Sequence, residues 1–299
     1  MQIFRLHIRP KGGLADPAFS FAYCLREQIL GLGWQIEPPP GTVVTWELYE
    51  QLALAKHTSS DLSRVRFLHQ HVQPNNLIWT RDTSGKYYLA QVQSPWEYVD
   101  TEDSRNADMV NRVQCRILEI PQADDVPGKI VASFRPNRAI QGIRDPTAFF
   151  YSQLLWNQLT ESEDYSPESI GSQNIFSYLD AETTEDVIFL YLQMQDWLVI
   201  PNSRKADTMS YEFVAIHRDT SERAIVQVKT GRSRLNREGW ENFDEKIFLF
   251  QSNGLYYGAE GSNVICLQPR VIEEFMQNRV AIMPRAVERW MRYVEEHDT

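Results

Sequence analysis

The sequence predicts an α/β protein in two parts: a C-terminal half built on a central mixed sheet, and a smaller, β-rich α+β domain before it. Three observations carry this. The chain has 299 residues, more than one domain usually holds. The segment TESEDYSPESIGSQ, 160–173, is acidic, serine-rich and broken by Pro167 and Gly171, the composition of a linker. Beyond it the apolar pattern runs helix, strand, strand, strand, helix, strand, strand, helix. The expected domains are therefore 1–159 and 174–299, joined by the linker 160–173.

In the C-terminal half, TTEDVIFLYLQMQDWLVI places apolar residues at 187, 190, 191, 194, 197 and 198, the stripe of an amphipathic helix. Thr184 ahead of Glu185 and Asp186 is a helix-start signal, since a hydroxyl caps free amides and carboxylates favour the positive end. WLVI is a short strand stopped at Pro201. YEFVAI and AIVQVK, separated by the polar HRDTSER, form a hairpin. LNREGWENFDE is a short helix, KIFLFQ and NVICLQ are strands, and PRVIEEFMQN and PRAVERWMRYVEEH are helices.

The N-terminal half opens with a strand in FRLHIRP, then a helix in AFSFAYCLREQI and a glycine-spaced strand in LGLGWQI that ends near Trp34. TWELYEQLALAKH and DLSRVRFLHQHV are helical, NLIWTRD and KYYLAQVQ are strands around a turn at DTSGK, and KIVASFRP is a strand leading to the cations Arg135 and Arg138.

Composition excludes several classes. With 42% hydrophobic and 23% charged residues this is an ordinary globular chain, and no apolar run approaches the ~18–20 residues of a membrane span. MQIFRLHIRPKGG lacks the apolar core of a signal peptide, so the expectation is a cytoplasmic protein. Cys24, Cys115 and Cys266 are far apart in apolar surroundings and read as core residues. Residues 1–159 carry 16 basic and 16 acidic residues, so the whole net charge of −10 falls on the second half. That balance opposes unassisted binding of a polyanion.

The chemistry concentrates at the end of the hairpin. Gln227 and Lys229, two apart on a strand, project from one face, and Glu212 on the neighbouring strand lies beside them when the register is right. A carboxylate, a second oxygen ligand and an ammonium group are the parts a metal-dependent phosphodiesterase needs. The plain structural reading of Lys229 is a strand-end lysine whose stem covers apolar surface while its charge reaches water.

Helix, strand with Glu212, hairpin and QVKTG resemble the Mrr-like branch of the PD-(D/E)xK nuclease superfamily, in which glutamine replaces the acid of the second half-motif. The resemblance runs from about Glu185 to Asn253. It implies a restriction-endonuclease-like fold, Glu212 and Gln227 as ligands of Mg²⁺ or Mn²⁺, Lys229 as the catalytic lysine and Glu185 as the helix glutamate that completes the site. Tyr211 and Glu212 stand where the family has Pro-Asp, and Asp196 stands where many relatives have glycine; Asp207 is an alternative carboxylate. Arg232, Arg234 and Arg237 follow Lys229 closely and supply local positive charge for phosphate, Arg232 and Arg234 in particular.

LGLGW followed by NLIWTRD and YYLAQV resembles the EVE, YTH and PUA group of small barrels, some of which receive a modified base in an aromatic cage. This implies Trp34, Trp79 and Trp96 near a pocket, where a stacked base contributes on the order of 1–3 kcal/mol. The plain reading of each tryptophan is core. His69 and His71 share a strand face as metal ligands or, the better reading, lie on a helix, since no further ligands follow at suitable spacing.

The combined expectation is a metal-dependent endonuclease acting on double-stranded DNA, in modification-dependent restriction, with the N-terminal domain reading the modified base. The alternative is a non-catalytic nucleic-acid or nucleotide-effector binder that keeps the nuclease fold. Cutting both strands with one site per chain calls for a homodimer.

Overall fold

The structure is a computed structural model that describes residues 2–13, 16–166, 174–200, 211–240 and 242–297. Asp207, the alternative carboxylate, lies outside the described residues. The chain is mixed α/β and divides into two compact units, Met1–Val126 with Ile130–Pro167, and Glu168–Thr299 with Pro127–Lys129. No helix among the described residues is long and apolar enough to cross a membrane.

The first unit runs β1 (Ile3–Leu6), α1 (Pro17–Glu27), β2 (Ile29–Leu32), α2 (Trp46–Lys56), α3 (Ser59–His71), β3 (Leu77–Arg81), β4 (Tyr87–Val92), β5 (Glu97–Tyr98), α4 (Glu102–Asn106), β6 (Asn111–Glu119), the greater part of α5 (Gly128–Ser133, whose first two residues belong to the second unit), β7 (Ile140–Ile143) and α6 (Pro146–Thr160). Its sheet has the order β2-β6-β4-β3-β1-β7, with β5 beside β6. Among the described residues of this sheet, only β1 and β3 pair in parallel. The helices start where short polar side chains can accept free amides: Asp16, Thr45, Thr58 with Asp61 as a capping box, and Asp145.

The strand β4 is buried along its whole length, so YYLAQV is a near-continuous apolar run. Its one polar member near the end, Gln91, donates to the Tyr165 hydroxyl at 3.0 Å. Tyr165 is itself buried and donates to the carbonyl of Asn75. The expected linker therefore begins later than residue 160, since its first residues pack on the first unit. Cys24 and Cys115 are core residues, and burial pushes the Cys24 thiol up to about 12.

Two expected elements differ. KIVASFRP is not a strand: residues 128–133 form α5, whose free amides on Gly128 and Lys129 are taken by the Thr183 hydroxyl and the Asp180 carboxylate. LNREGWENFDE is not a helix among its described residues. Gly239 sits at φ 92, and Asn236 folds back to accept from the Glu238 amide and the Trp240 indole, which leaves only a two-residue strand, β11 (Leu235–Asn236).

In the second unit, α7 (Ala181–Met194) precedes β8 (Trp197–Ile200), β9 (Phe213–His217) and β10 (Arg223–Lys229). After β11 come β12 (Lys246–Gln251), β13 (Tyr256–Tyr257), β14 (Val264–Leu267), α8 (Pro269–Asn278) and α9 (Arg285–His297). The sheet order is β14-β12-β10-β9-β8, antiparallel through β8, β9 and β10 and parallel through β10, β12 and β14. Parallel neighbours usually cross over through a helix. Here both crossovers are irregular and pair with each other through β11 and β13.

The two faces of this sheet are covered differently. Phe213, Val226, Phe248 and Phe250 meet the helical side, where Phe189 of α7 stacks edge-on against Phe213 at 4.0 Å and Phe176 against Phe250 at 5.0 Å. Ile225, Ile247, Leu249 and Val264 meet Leu235 and Trp240 of the crossover layer on the other side.

The helix α7 begins four residues earlier than the Thr184 signal, because Asp180 accepts the Thr183 amide at 2.7 Å. Burial is the main cause that pushes the Asp180 carboxyl up to about 6, with Glu182 adding to it. The folded chain thus holds a proton that the unfolded chain releases near its ordinary value. Asp180 contributes stability that is complete below pH ~4 and lost as pH rises through about 6. Asp180→Asn should therefore lose stability relative to the wild type as pH is lowered from 7 to 4, by at most about 3 kcal/mol. Urea unfolding of both proteins across that range checks it.

Candidate active site

The register of the hairpin decides the site. Phe213 pairs with Val226, and the Glu212 amide donates to the Val226 carbonyl at 2.8 Å, which sets Glu212 opposite Gln227. Side chains alternate along a strand, so Glu212, Gln227 and Lys229 share the face under the crossover layer. Gln227 Nε2 donates to Glu212 Oε1 at 2.8 Å, and Lys229 Nζ reaches the same oxygen at 3.3 Å. Gln227 is buried, the Glu212 side chain is 16% exposed and that of Lys229 45%, so the trio runs from the core out to solvent.

A cavity of about 300 Å³ opens on Gln227 and Lys229, walled by Asn236, Glu238, Trp240 and Phe243. The segment that was expected to be a helix is this wall. Glu238 brings a carboxylate to the wall of this cavity, with Oε1 accepting the Ala259 amide at 2.7 Å. Its position depends on the irregular crossover, so no spacing in the sequence announced it. Gln251 was also missed. Fully buried beside Lys229, it donates to the carbonyls of Gly231 and Ser233 and accepts the amides of Asn253 and Leu255. It pins both crossovers at the site, and its one signal is a polar residue closing an apolar strand.

Glu185 lies on α7 one turn before Phe189, which packs on Phe213 next to Glu212. It thus comes from a helix on the opposite face of the sheet, toward the end where Glu212 stands. Arg232 and Arg234 are exposed in the loop after β10, and the Arg234 guanidinium sits 5.0 Å from the Tyr257 ring. Arg237 is engaged with Glu260 at 3.6 Å. Asp196, at φ 65, pairs with Arg218 at 2.8 Å away from this cluster of contacts.

The donor set suits a sparsely held hard cation. Glu212 and Gln227 offer one carboxylate and one amide oxygen, and Mg²⁺ is commonly held by one or two protein oxygens with water and phosphate filling the octahedron. No group of three or more His, Cys, Asp or Glu able to hold a metal occurs among the described residues. His69 and His71 lie on α3, where His69 stacks on Trp46 at 4.0 Å and His71 meets Phe67 at 4.7 Å.

The first unit has a larger cavity, about 640 Å³, and of the three tryptophans only Trp34 lines it. Trp34 is held in the left-handed region at φ 66, unusual for a bulky residue. Its carbonyl accepts from the Tyr49 hydroxyl at 3.0 Å and from Asn111 Nδ2 at 3.4 Å. Arg64 lies 5.8 Å from its ring. Asp108, 8% exposed and also left-handed at φ 57, brings its carboxylate against Gly33, where a Cβ would collide with it. Burial raises its pKa.

Trp79 is a core residue: it is fully buried and donates to the Ser152 hydroxyl at 2.9 Å. Trp96 is half-buried in an aromatic cluster with Trp46, Tyr49 and His69, and donates to Asn111 Oδ1. The expected trio of tryptophans is thus not assembled into one cage. No protein-family model, curated protein or solved structure matches the chain.

Proposed function

We propose that the protein is a metal-dependent DNA endonuclease of the PD-(D/E)xK, Mrr-like type, and that its first unit, an EVE- or PUA-like domain, reads a modified base. The observation that carries the proposal is the convergence of Gln227 and Lys229 on one oxygen of Glu212, next to a cavity that Gln227 and Lys229 line. Glu212 and the Gln227 amide oxygen would hold Mg²⁺, or Mn²⁺ in its place, and the ion supplies Lewis-acid polarisation of a phosphate oxygen and an activated water. Lys229 holds its ammonium group where negative charge grows on the reacting phosphate. Arg232 and Arg234, exposed on the adjoining loop, bring a sugar-phosphate backbone to an otherwise acidic half. The cavity at Trp34 has the size of a base-binding pocket, and the ring stacks on a flipped base. The host is expected to be a cytoplasmic restriction system, with a dimer delivering the second cut.

One observation favours a second reading, a non-catalytic nucleic-acid or nucleotide binder. The Glu212 carboxylate already accepts from both Gln227 and Lys229, a self-satisfied arrangement that needs no cation.

The test is incubation of the protein with modified and unmodified duplexes in Mg²⁺, in Mn²⁺ and in EDTA. The proposal expects metal-dependent cleavage of one modified duplex in preference to its unmodified twin. Binding without cleavage in any metal selects the second reading.

A further inference from the structure

The first unit gathers cations around one ring. Phe134 is 4% exposed, and the guanidinium groups of Arg5 and Arg81 stand 5.4 and 5.0 Å from its centroid, with the His7 ring edge-on at 6.0 Å. Arg5 is fully buried and donates to the carbonyls of Ser133, Arg138 and Pro136. Carbonyls satisfy its hydrogen bonds and leave its charge uncompensated. Among the described residues, Arg5, Arg9, Arg81 and Arg138 have no carboxylate within ion-pair distance. Nor has the buried His7 Nδ1 a hydrogen-bond partner there.

A cavity of about 540 Å³ opens on this cluster, lined by His7, Arg9, Arg81 and the turn 82–85. Asp82 also borders it, and its Oδ1 is occupied by the amides of Ser84 and Lys86 and the Ser84 hydroxyl. Burial and then the neighbouring cations, Arg81 first, depress His7 to about 4, so its ring is neutral at neutral pH and can accept or donate a hydrogen bond to a ligand. Like charges crowded without a counter-ion repel one another, and an anion entering the cavity removes that cost.

The geometry points to a phosphate-binding site formed by Arg81, Arg9 and His7, with Arg5 as the buried cation behind them. Guanidinium forks match phosphate oxygens in pairs, and the cavity has room for the sugar attached to one. The phosphate comes from a nucleic-acid backbone or from a free phosphate compound. The site lies in the first unit, so it stands whether or not the second unit cleaves anything.

The test uses the full chain and two variants. Arg81→Met keeps an apolar stem against Phe134 and removes the charge, while Arg9→Ala changes an exposed residue. Thermal unfolding is measured in sodium phosphate and in sodium chloride at matched ionic strength, and affinity for a short DNA duplex by fluorescence anisotropy. Phosphate should raise the wild-type midpoint, and both variants should lose most of that rise while Arg9→Ala keeps its midpoint in chloride. A backbone source is marked by a drop of about fivefold or more in duplex affinity in both variants. A free phosphate compound is marked by loss of the phosphate effect with duplex affinity unchanged. Either supports the site. A phosphate effect that survives in both variants overturns it, and so does the absence of that effect in the wild type together with unchanged duplex affinity.

Discussion

Lys229→Ala should slow duplex cleavage by about 10²–10³-fold while changing duplex affinity little. The ammonium group lies 3.3 Å from the Glu212 carboxylate and is partly open to solvent, so in the resting protein its charge is balanced. Its value grows only when charge builds on the phosphate, and an interaction realised in the transition state appears in rate rather than in binding. Glu212→Ala should act in the same direction by removing the only carboxylate in the trio, with added Mn²⁺ restoring part of the rate. Single-turnover cleavage, measured beside anisotropy titrations, checks both. Equal rates in the wild type and the two variants would place the chemistry elsewhere.

Trp79→Ala should destabilise the first unit by about 3–5 kcal/mol. The side chain is among the largest that are fully buried, and its loss opens a cavity and deprives the Ser152 hydroxyl of the indole donor. Trp34→Ala should cost far less, because that ring is only half-buried and borders a cavity already present. Base discrimination should follow the opposite order, lost in Trp34→Ala and kept in whatever fraction of Trp79→Ala folds. Urea unfolding gives the stabilities, and the preference of residues 2–166 within the full chain is read from binding to paired modified and unmodified duplexes. A Trp79 variant as stable as the wild type would contradict the packing described here.

The hairpin was legible because its information is local. Alternation on YEFVAI and AIVQVK sets which side chains share a face, so Gln227 and Lys229 could be placed together, with Glu212 beside them on condition of a register that the pairing of Phe213 with Val226 supplies. The crossover was not legible. NREGWENFDE has helical composition, and what prevents a helix is the left-handed Gly239 and the long-range closure of Trp240 and Leu235 over Ile225 and Leu249. Glu238 entered the site through that closure, and Gln251 through the pairing of β12 beside Lys229. The apolar alternation of KIVASF suggested a strand, and capping of the Gly128 and Lys129 amides by Thr183 and Asp180, all four residues of the second unit, starts a helix there instead. The tryptophans were equivocal for a physical reason: an indole at a strand end suits the core and a ligand equally well, and only burial separates Trp79 from Trp34. The cation cluster around Phe134 was only partly visible, since Arg5, Arg81 and Arg138 come from three separate segments.

Binding of Mn²⁺ to the wild type and to Glu212→Ala, followed by electron paramagnetic resonance, tests most directly whether Glu212 and Gln227 form a cation site. The account predicts one more Mn²⁺ bound per chain in the wild type than in the variant, with that ion displaced by excess Mg²⁺. Equal stoichiometry and affinity in the two proteins would contradict it.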